Sequence, residues 1–255
     1  MAILEVQNVS KSFGEEQILK GISLELCKGE LVSLLGVSGV GKTTLFNIIA
    51  GLNNPDQGKV CLNGEEITGK PGKISYMLQK DLLLPYKNIL ENVALPLIIR
   101  GVNKKEAKEK AASYFAEFGI EGTEKKYPTQ LSGGMKQRAA LLRTYLFSQD
   151  VALLDEPFSA LDMLTKQAMH EWYLDVMEKI QLSTIFITHD IDEAILLSDR
   201  IYLLTGKPGE ITKEIKINEP KPREKDFHLT DAFLSYKREI LSHLEGKNID
   251  DKTLL

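Results

Sequence analysis

Glycines, one lysine and several hydroxyls come together at Gly36-Val37-Ser38-Gly39-Val40-Gly41-Lys42-Thr43-Thr44, a match to the phosphate-loop pattern G-x-x-x-x-G-K-[ST]. Each residue type has a task in that pattern. Gly36, Gly39 and Gly41, with Ser38, let backbone N–H groups turn inward onto an anion, and a helix opening at Lys42 adds the positive end of its dipole. Lys42 would reach β- and γ-phosphates, and the Thr43 hydroxyl, with Thr44 beside it, suits a magnesium ion. The chemistry implied is binding of a nucleoside triphosphate. A phosphate loop alone does not choose among ATPases, GTPases, kinases and recombinases.

Two further groups narrow the choice. The apolar run Val151-Ala152-Leu153-Leu154 ends in Asp155-Glu156. Ligands of open α/β sheets sit beyond the carboxyl ends of strands, so these acids are expected to face the same crevice as the phosphate loop. Asp155 suits the magnesium shell, and Glu156 suits positioning and polarising an attacking water for in-line phosphoryl transfer. The second group is Leu131-Ser132-Gly133-Gly134-Met135-Lys136-Gln137-Arg138. Ser132 is a good N-cap, and Gly133 and Gly134 leave the first helical N–H groups open to a close anion. Glycines weaken a first turn, so a plain capped helix has no use for two of them.

The run LSGGMKQR resembles the signature motif of ATP-binding cassette (ABC) proteins, and it lies between the phosphate loop and the Asp-Glu strand, as in that family. Gln79 resembles the family's Q-loop glutamine, Ser159-Ala160-Leu161-Asp162 its D-loop, and His189 in Thr188-His189-Asp190 its switch histidine. Phe13 falls where the family has an adenine-stacking aromatic; an aromatic there can equally pack beneath a turn. The resemblance spans about Ile3 to Leu204. It implies that Lys42, Thr43 and Gln79 hold phosphate and magnesium, with Asp155 in the metal shell. Glu156 is then the catalytic carboxylate and His189 the contact to the γ-phosphate. Ser132 and Gly134 would serve the nucleotide of an opposite subunit, with Gly133 and Asp162 in the same nucleotide-binding set. ATP, Mg2+, a second copy of the chain and transmembrane permease subunits follow as expectations, as does an extracytoplasmic solute-binding protein at one remove.

Within the family, Gln79-Lys80-Asp81-Leu82-Leu83-Leu84-Pro85-Tyr86, the Met135 variant of the signature and Gly206-Lys207-Pro208-Gly209 resemble bacterial importer subunits for nitrate, sulfonate, taurine and thiamine-precursor pyrimidines. A Trp is commoner there than Tyr86. The resemblance implies an ATPase that powers solute import, held peripherally on the inner face of the cell membrane through its permease. Leu82 to Tyr86 is either a partner surface beside Gln79 or buried core, since short apolar runs serve both ends. A chromosome-maintenance cassette would need long heptad-rich helices, and the stretch from Asp81 to Gln130 is short and holds Pro96, Gly101 and Pro128. A translation-factor cassette usually carries two phosphate loops; this chain has one.

The elements that must position these groups follow from periodicity. Leu4 and Val6 alternate with Glu5 and Gln7, and Ile22 to Leu26 alternates likewise, which predicts an N-terminal antiparallel β subdomain. Leu31–Leu35, Val151–Leu154, Ser183–Thr188 and Arg200–Leu204 are apolar runs of parallel-strand type. Short strands are expected at Lys59–Leu62 and Ile74–Leu78. Helices are expected over Lys42–Ala50, in two segments from Asn88 to Phe118 broken near Gly101, from Ser132, and through about Lys179, with Asn103 capping the second segment. The expected fold is α/β: a P-loop NTPase core with a mostly parallel sheet and an inserted α-helical subdomain at about 86–147. Residues 1–205 make the ATPase domain. Residues 206–255 make an extension ending in an amphipathic helix with Leu229, Phe233, Tyr236, Ile240 and Leu244 on one side.

The bulk numbers agree with this reading. A chain of 255 residues, 43% hydrophobic and 27% charged, has the balance of an ordinary globular protein. Its net charge of -4 gives no general attraction for nucleic acid. MAILEVQNVSKSF does not read as a secretory signal, and the apolar segment from Val93 to Ile99 is too short to span a bilayer, so a cytoplasmic location is expected. Cys27 and Cys61 lack metal or redox spacing and read as packing residues.

Overall fold

The computed structural model describes residues 2–148, 150–159, 161–221, 223 and 226–245. In chain order the elements begin with β1 (Ala2–Phe13), β2 (Glu16–Cys27), β3 (Leu31–Leu35), α1 (Lys42–Ile49), β4 (Gln57–Leu62) and β5 (Glu65–Glu66). Next come β6 (Ser75–Met77), α2 (Ile89–Ile99), α3 (Lys104–Ala112), α4 (Gly133–Phe147), β7 (Val151–Asp155) and α5 (Met163–Ile180). The chain closes with β8 (Ser183–Thr188), α6 (Ile191–Leu197), β9 (Arg200–Thr205), β10 (Glu210–Lys216) and α7 (Asp231–Glu245). Two compact units result, one of Met1–Lys73 with Ser183–Leu255, the other of Ile74–Leu182.

The first unit holds an antiparallel sheet ordered β2-β1-β4-β5. Its apolar stripe pairs Leu4 with Leu26 and Leu62, and Val6 with Leu24 and Val60. The β1–β2 ribbon runs further than the alternation predicts, out to Phe13 opposite Glu16. Register shifts between Val6 and Val9, with Asn8 at φ 51°, break the period of two that would reveal it. The unit also holds β3 paired in parallel with β8 and with β9. All three strands are buried along their length, which is why they read as continuous apolar runs.

Strand β10, antiparallel to β9, was not expected from the sequence. It is Glu-Ile-Thr-Lys-Glu-Ile-Lys, mostly half-exposed, and its charges suit a sheet edge while hiding any one-sided apolar pattern. The buried Arg200 ties β9 to its surroundings, bonding both Glu30 oxygens at 2.9 and 2.7 Å and reaching Glu25 and Glu214 at 3.2 and 3.3 Å. Helix α7 lays Phe233 and Ile240, with Tyr236 and Leu244, against Ile195, Ile201, Leu203 and Ile215. Leu229 is not part of that stripe. It is 72% exposed, because it precedes Thr230, whose hydroxyl accepts from the Phe233 N–H at the helix start, and Phe227 takes the buried place instead.

The second unit holds β6 parallel to β7 and the helices α2 to α5. The break near Gly101 is present, and Asn103 Oδ1 caps α3 by accepting from Lys105 N at 2.9 Å. Helix α3 ends at Ala112, earlier than expected. The chain continues in tighter turns, Tyr114 N to Ala111 O and Phe115 N to Ala112 O, that carry the buried Phe115 and Phe118. Among the described residues no helix is long and apolar enough to cross a membrane.

Candidate nucleotide-binding and catalytic site

The phosphate loop leaves the buried end of β3 and enters α1, as the strand-to-helix pattern requires. Gly39 at φ 80° and Gly41 at φ 103° occupy the left-handed region that side chains avoid. The glycines then divide by what lies beside them. A Cβ on Gly36 would run into the Leu204 carbonyl oxygen and one on Gly41 would sit 2.8 Å from Leu19 Cδ2, so these two face protein. Around Gly39 the space is open. The buried Lys42 folds its ammonium back onto the loop, bonding Gly36 O at 2.7 Å and Val37 O at 2.9 Å, so the cation is held at the loop it would serve. Ser38 and Thr43 are exposed and Thr44 is half-buried.

His189 follows β8 within the same unit and is exposed. Leu35 and Thr188 are Cα partners in the parallel β3–β8 register, so the phosphate loop and His189 leave neighbouring strand ends side by side. Asp190 then caps α6, its Oδ1 accepting from Asp192 N at 3.0 Å and Glu193 N at 3.1 Å. Phe13 sits at the tip of the β1–β2 ribbon, 53% exposed, with the Lys11 ammonium 5.4 Å from its ring centre. It does not pack beneath a turn.

The second unit gathers the carboxylates. Met77 and Leu154 are Cα partners in the parallel β6–β7 pair, and two residues beyond each stand Gln79 and Glu156. Gln79 Nε2 donates to Glu156 Oε2 at 3.1 Å and to Ser159 Oγ at 3.4 Å. Glu156 holds φ at 46°, a left-handed backbone that a side-chain-bearing residue adopts at a cost of order 1–3 kcal/mol and that clusters at functional sites. Asp155 is buried, with Tyr76 Oη donating to Oδ2 at 3.4 Å. Burial, and then the adjacent Asp155 charge, push the Tyr76 phenol above its usual range, so it stays a donor.

The signature residues open α4. Ser132 Oγ accepts from Met135 N at 3.4 Å, as an N-cap. Neither Gly133 nor Gly134 has a positive φ, and a Cβ on either would meet only ordinary contacts, Leu161 at 3.5 Å and Met169 at 3.5 Å. Nothing within the described chain requires glycine at these two positions. Asp162 caps α5, accepting from Thr165 N at 3.1 Å and Thr165 Oγ1 at 2.6 Å.

The sequence matches the family model described as ABC transporter over residues 19–159. This chain belongs to the ABC transporter family. It is 46% identical over 216 residues, 84% of each chain, to the formylaminopyrimidine import ATP-binding protein ThiZ of Halalkalibacterium halodurans. It is 40% identical to the aliphatic sulfonates import ATP-binding protein SsuB of Bacillus cereus, covering 92% of each chain. Among solved structures it resembles a dimeric ATP-binding cassette in a post-hydrolysis state bound to ADP and Pi. That likeness has a TM-score of 0.70 at 31% identity, covering 85% of this chain and all of the other.

Around the motifs of this cassette lie supports that no motif announces. Arg143 donates to Leu82 O at 2.8 Å and to Asp81 O, holding the segment after Gln79 with Leu82 at φ 46° and exposed. Asn92, fully buried, accepts from Leu84 N at 2.6 Å and donates to Leu84 O at 3.1 Å. Gly209 donates to Ile18 O at 2.8 Å and lies so close to Val40 that a Cβ would strike its carbonyl oxygen. Only Gly209 had a signal in the sequence, as the last residue of the Gly206-Lys207-Pro208-Gly209 run that resembles importer subunits.

Proposed function

We propose that this chain is the ATP-hydrolysing subunit of a solute importer, working as a pair of copies on transmembrane permease subunits at the inner face of the membrane. An extracytoplasmic solute-binding protein would deliver the cargo. The observation that carries the catalytic part is the Gln79–Glu156 pair at 3.1 Å, with Glu156 held on a left-handed backbone at the end of a buried strand. Lys42 and the loop N–H groups bind the β- and γ-phosphates, and the half-exposed Phe13 offers its face to the adenine.

Glu156 orients a water in line with the γ-phosphorus and takes its proton as the new O–P bond forms and the bond to ADP breaks. His189, leaving the sheet beside the loop, donates to the γ-phosphate oxygens as charge redistributes over them. The Thr43 hydroxyl, the Gln79 side-chain oxygen and the Asp155 carboxylate are each oxygen donors of the kind magnesium takes, and they would hold it with the nucleotide. Bound with the nucleotide, magnesium supplies neutralisation of the phosphate charge. Gln79 gives its amide nitrogen to Glu156, so its oxygen is the atom left for the metal.

Ser132, Gly133 and Gly134 serve the γ-phosphate held by the other copy. Their glycines, which the chain's own packing does not demand, support that assignment. The solute would be of the nitrate, sulfonate, taurine or pyrimidine-precursor kind, selected by the partner subunits, a reading that the import relatives support. Phosphate release by the purified chain tests the catalytic assignment. Lys42→Ala should lose ATP binding, and Glu156→Gln should keep binding while turnover falls about 10²–10⁴-fold. Full turnover in either variant sinks the assignment.

A further inference from the structure

The chain beyond β10 returns to grip the helix that follows His189. Helix α6 has seven residues, Ile191–Leu197, too few to hold a fixed position through its own hydrogen bonds, so its place is set by what packs on it. At its carboxyl end Arg223 donates Nη1 to Leu196 O and Nη2 to Ser198 O, each at 2.6 Å, satisfying carbonyls that a helix end leaves open. At its amino end Lys237, on α7, pairs with Asp192 at 2.6 Å. Between these clamps Ala194 and Ile195 are fully buried with Phe227, Phe233 and Ile240 of the extension. His189 stands one residue ahead of the Asp190 cap of this helix, and Asp190 N donates to Thr188 Oγ1 at 3.0 Å. Any shift of α6 is therefore passed to a single residue pinned between strand and cap.

We propose that Arg223 is a positioning residue for ATP hydrolysis: through its bidentate hold on the end of α6, the C-terminal extension sets where His189 is presented to the γ-phosphate. The inference rests on the reading of His189 as the γ-phosphate contact. A displacement of about 1 Å at a catalytic group costs up to ~10²-fold in rate, so loosening the far end of a two-turn helix is enough to matter. ATP binding at the phosphate loop does not pass through α6 and is untouched.

The test is a double-mutant cycle on the full chain, with kcat, the ATP dissociation constant and the number of ATP sites per chain measured for Arg223→Met, His189→Ala and both together. Arg223→Met should lower kcat about 10-fold or more with affinity and site number unchanged, whereas a merely destabilised protein loses sites. In the His189→Ala background the same change should lower kcat no further, because a residue that acts through another is not additive with it. Arg223→Lys, which keeps a cation able to reach one carbonyl, should recover part of the rate, and it carries the cycle if Arg223→Met does not fold. Unchanged kcat in the Arg223 variants, or a full multiplicative loss in the double variant, overturns the proposal. If His189→Ala alone hydrolyses ATP at the full rate, the reading of His189 is at fault, and the proposal falls with it.

Discussion

Gln79 donates its side-chain amide to Glu156 across 3.1 Å, joining the second residue beyond Met77 to the second residue beyond its strand partner Leu154. The pairing is a product of register. In a parallel pair, residues equally far past partnered positions leave the sheet side by side, so a glutamine and a glutamate 77 positions apart in sequence become neighbours. The contact holds one carboxylate oxygen of the residue read as the catalytic base. Gln79→Ala should therefore lower kcat, by about 10²-fold, and raise the magnesium concentration needed for half-maximal turnover. Phosphate release across a magnesium titration separates the two effects. A loss in kcat with unchanged magnesium dependence would keep Gln79 as the partner of Glu156 and remove it from the metal shell.

Gly209 bears on the phosphate loop from outside it. Its backbone is not in the left-handed region, so alanine there meets no torsional penalty, only the Val40 carbonyl oxygen one residue before Gly41. Overpacking of this kind typically costs 1–3 kcal/mol and moves the backbone that yields most easily, here a loop. Gly209→Ala should weaken ATP binding roughly 10-fold, the equivalent of about 1.4 kcal/mol. Gly72→Ala is the control, since nothing lies within 4 Å of a Cβ there, and it should leave ATP affinity unchanged while its left-handed φ of 85° costs stability. Equal ATP affinity in the two variants would sever Gly209 from the loop.

The legible parts of this molecule are those in which one short window holds both the residue type and its reason. The phosphate loop, the buried strands Leu31–Leu35 and Ser183–Thr188, and the caps Ser132 and Asn103 are of that kind. What escaped depends on partners distant in sequence. Strand β10 draws its assignment from β9, because its own residues are charged on both faces. Arg143 and Arg223 resemble any surface arginine until the carbonyls of Leu82, Leu196 and Ser198 are found at their tips. Leu229 misled because helical spacing extends backward through a cap without marking it; Thr230 stops the helix, and the stripe with it.

Leu83 and Tyr86 resolve the two uses of an apolar run. Leu83 is 7% exposed and Tyr86 is 72% exposed, so one stretch serves the core with one residue and solvent with the other. Leu83→Ser should destabilise the chain by about 2–4 kcal/mol, from lost burial and a new unpaired hydroxyl. Tyr86→Ser should leave the thermal midpoint nearly unchanged and weaken association with the permease subunits. Thermal denaturation and copurification with the permease pair measure these separately. A drop in thermal midpoint for Tyr86→Ser equal to that of Leu83→Ser would return Tyr86 to the core.

The two helix starts read from the sequence as anion sites lead to the last expectation. Helix α1 opens beside the phosphate loop, and α4 opens at Ser132 with two glycines that no contact within the described chain demands. If α4 faces the nucleotide of a second copy, ATP acts as the bridge between chains, and hydrolysis by Glu156 ends the bridged state. Glu156→Gln keeps the size and most of the hydrogen bonding but removes the base, so the bridged state accumulates. A ligand that binds only the dimer draws the equilibrium toward it by mass action. Light scattering should therefore find Glu156→Gln monomeric without ATP and dimeric at saturating ATP. Adding Ser132→Arg should abolish the dimer while ATP binding persists, because a bulky side chain replaces the exposed cap and the chain's own phosphate loop is untouched. A Glu156→Gln chain that stays monomeric with every site filled leaves dimerisation to the permease or refutes the shared site. The same measurement on the permease complex decides between them: two ATP molecules held per pair of chains, and released by Ser132→Arg, retains the shared site, whereas retention of both by the Ser132→Arg complex removes it.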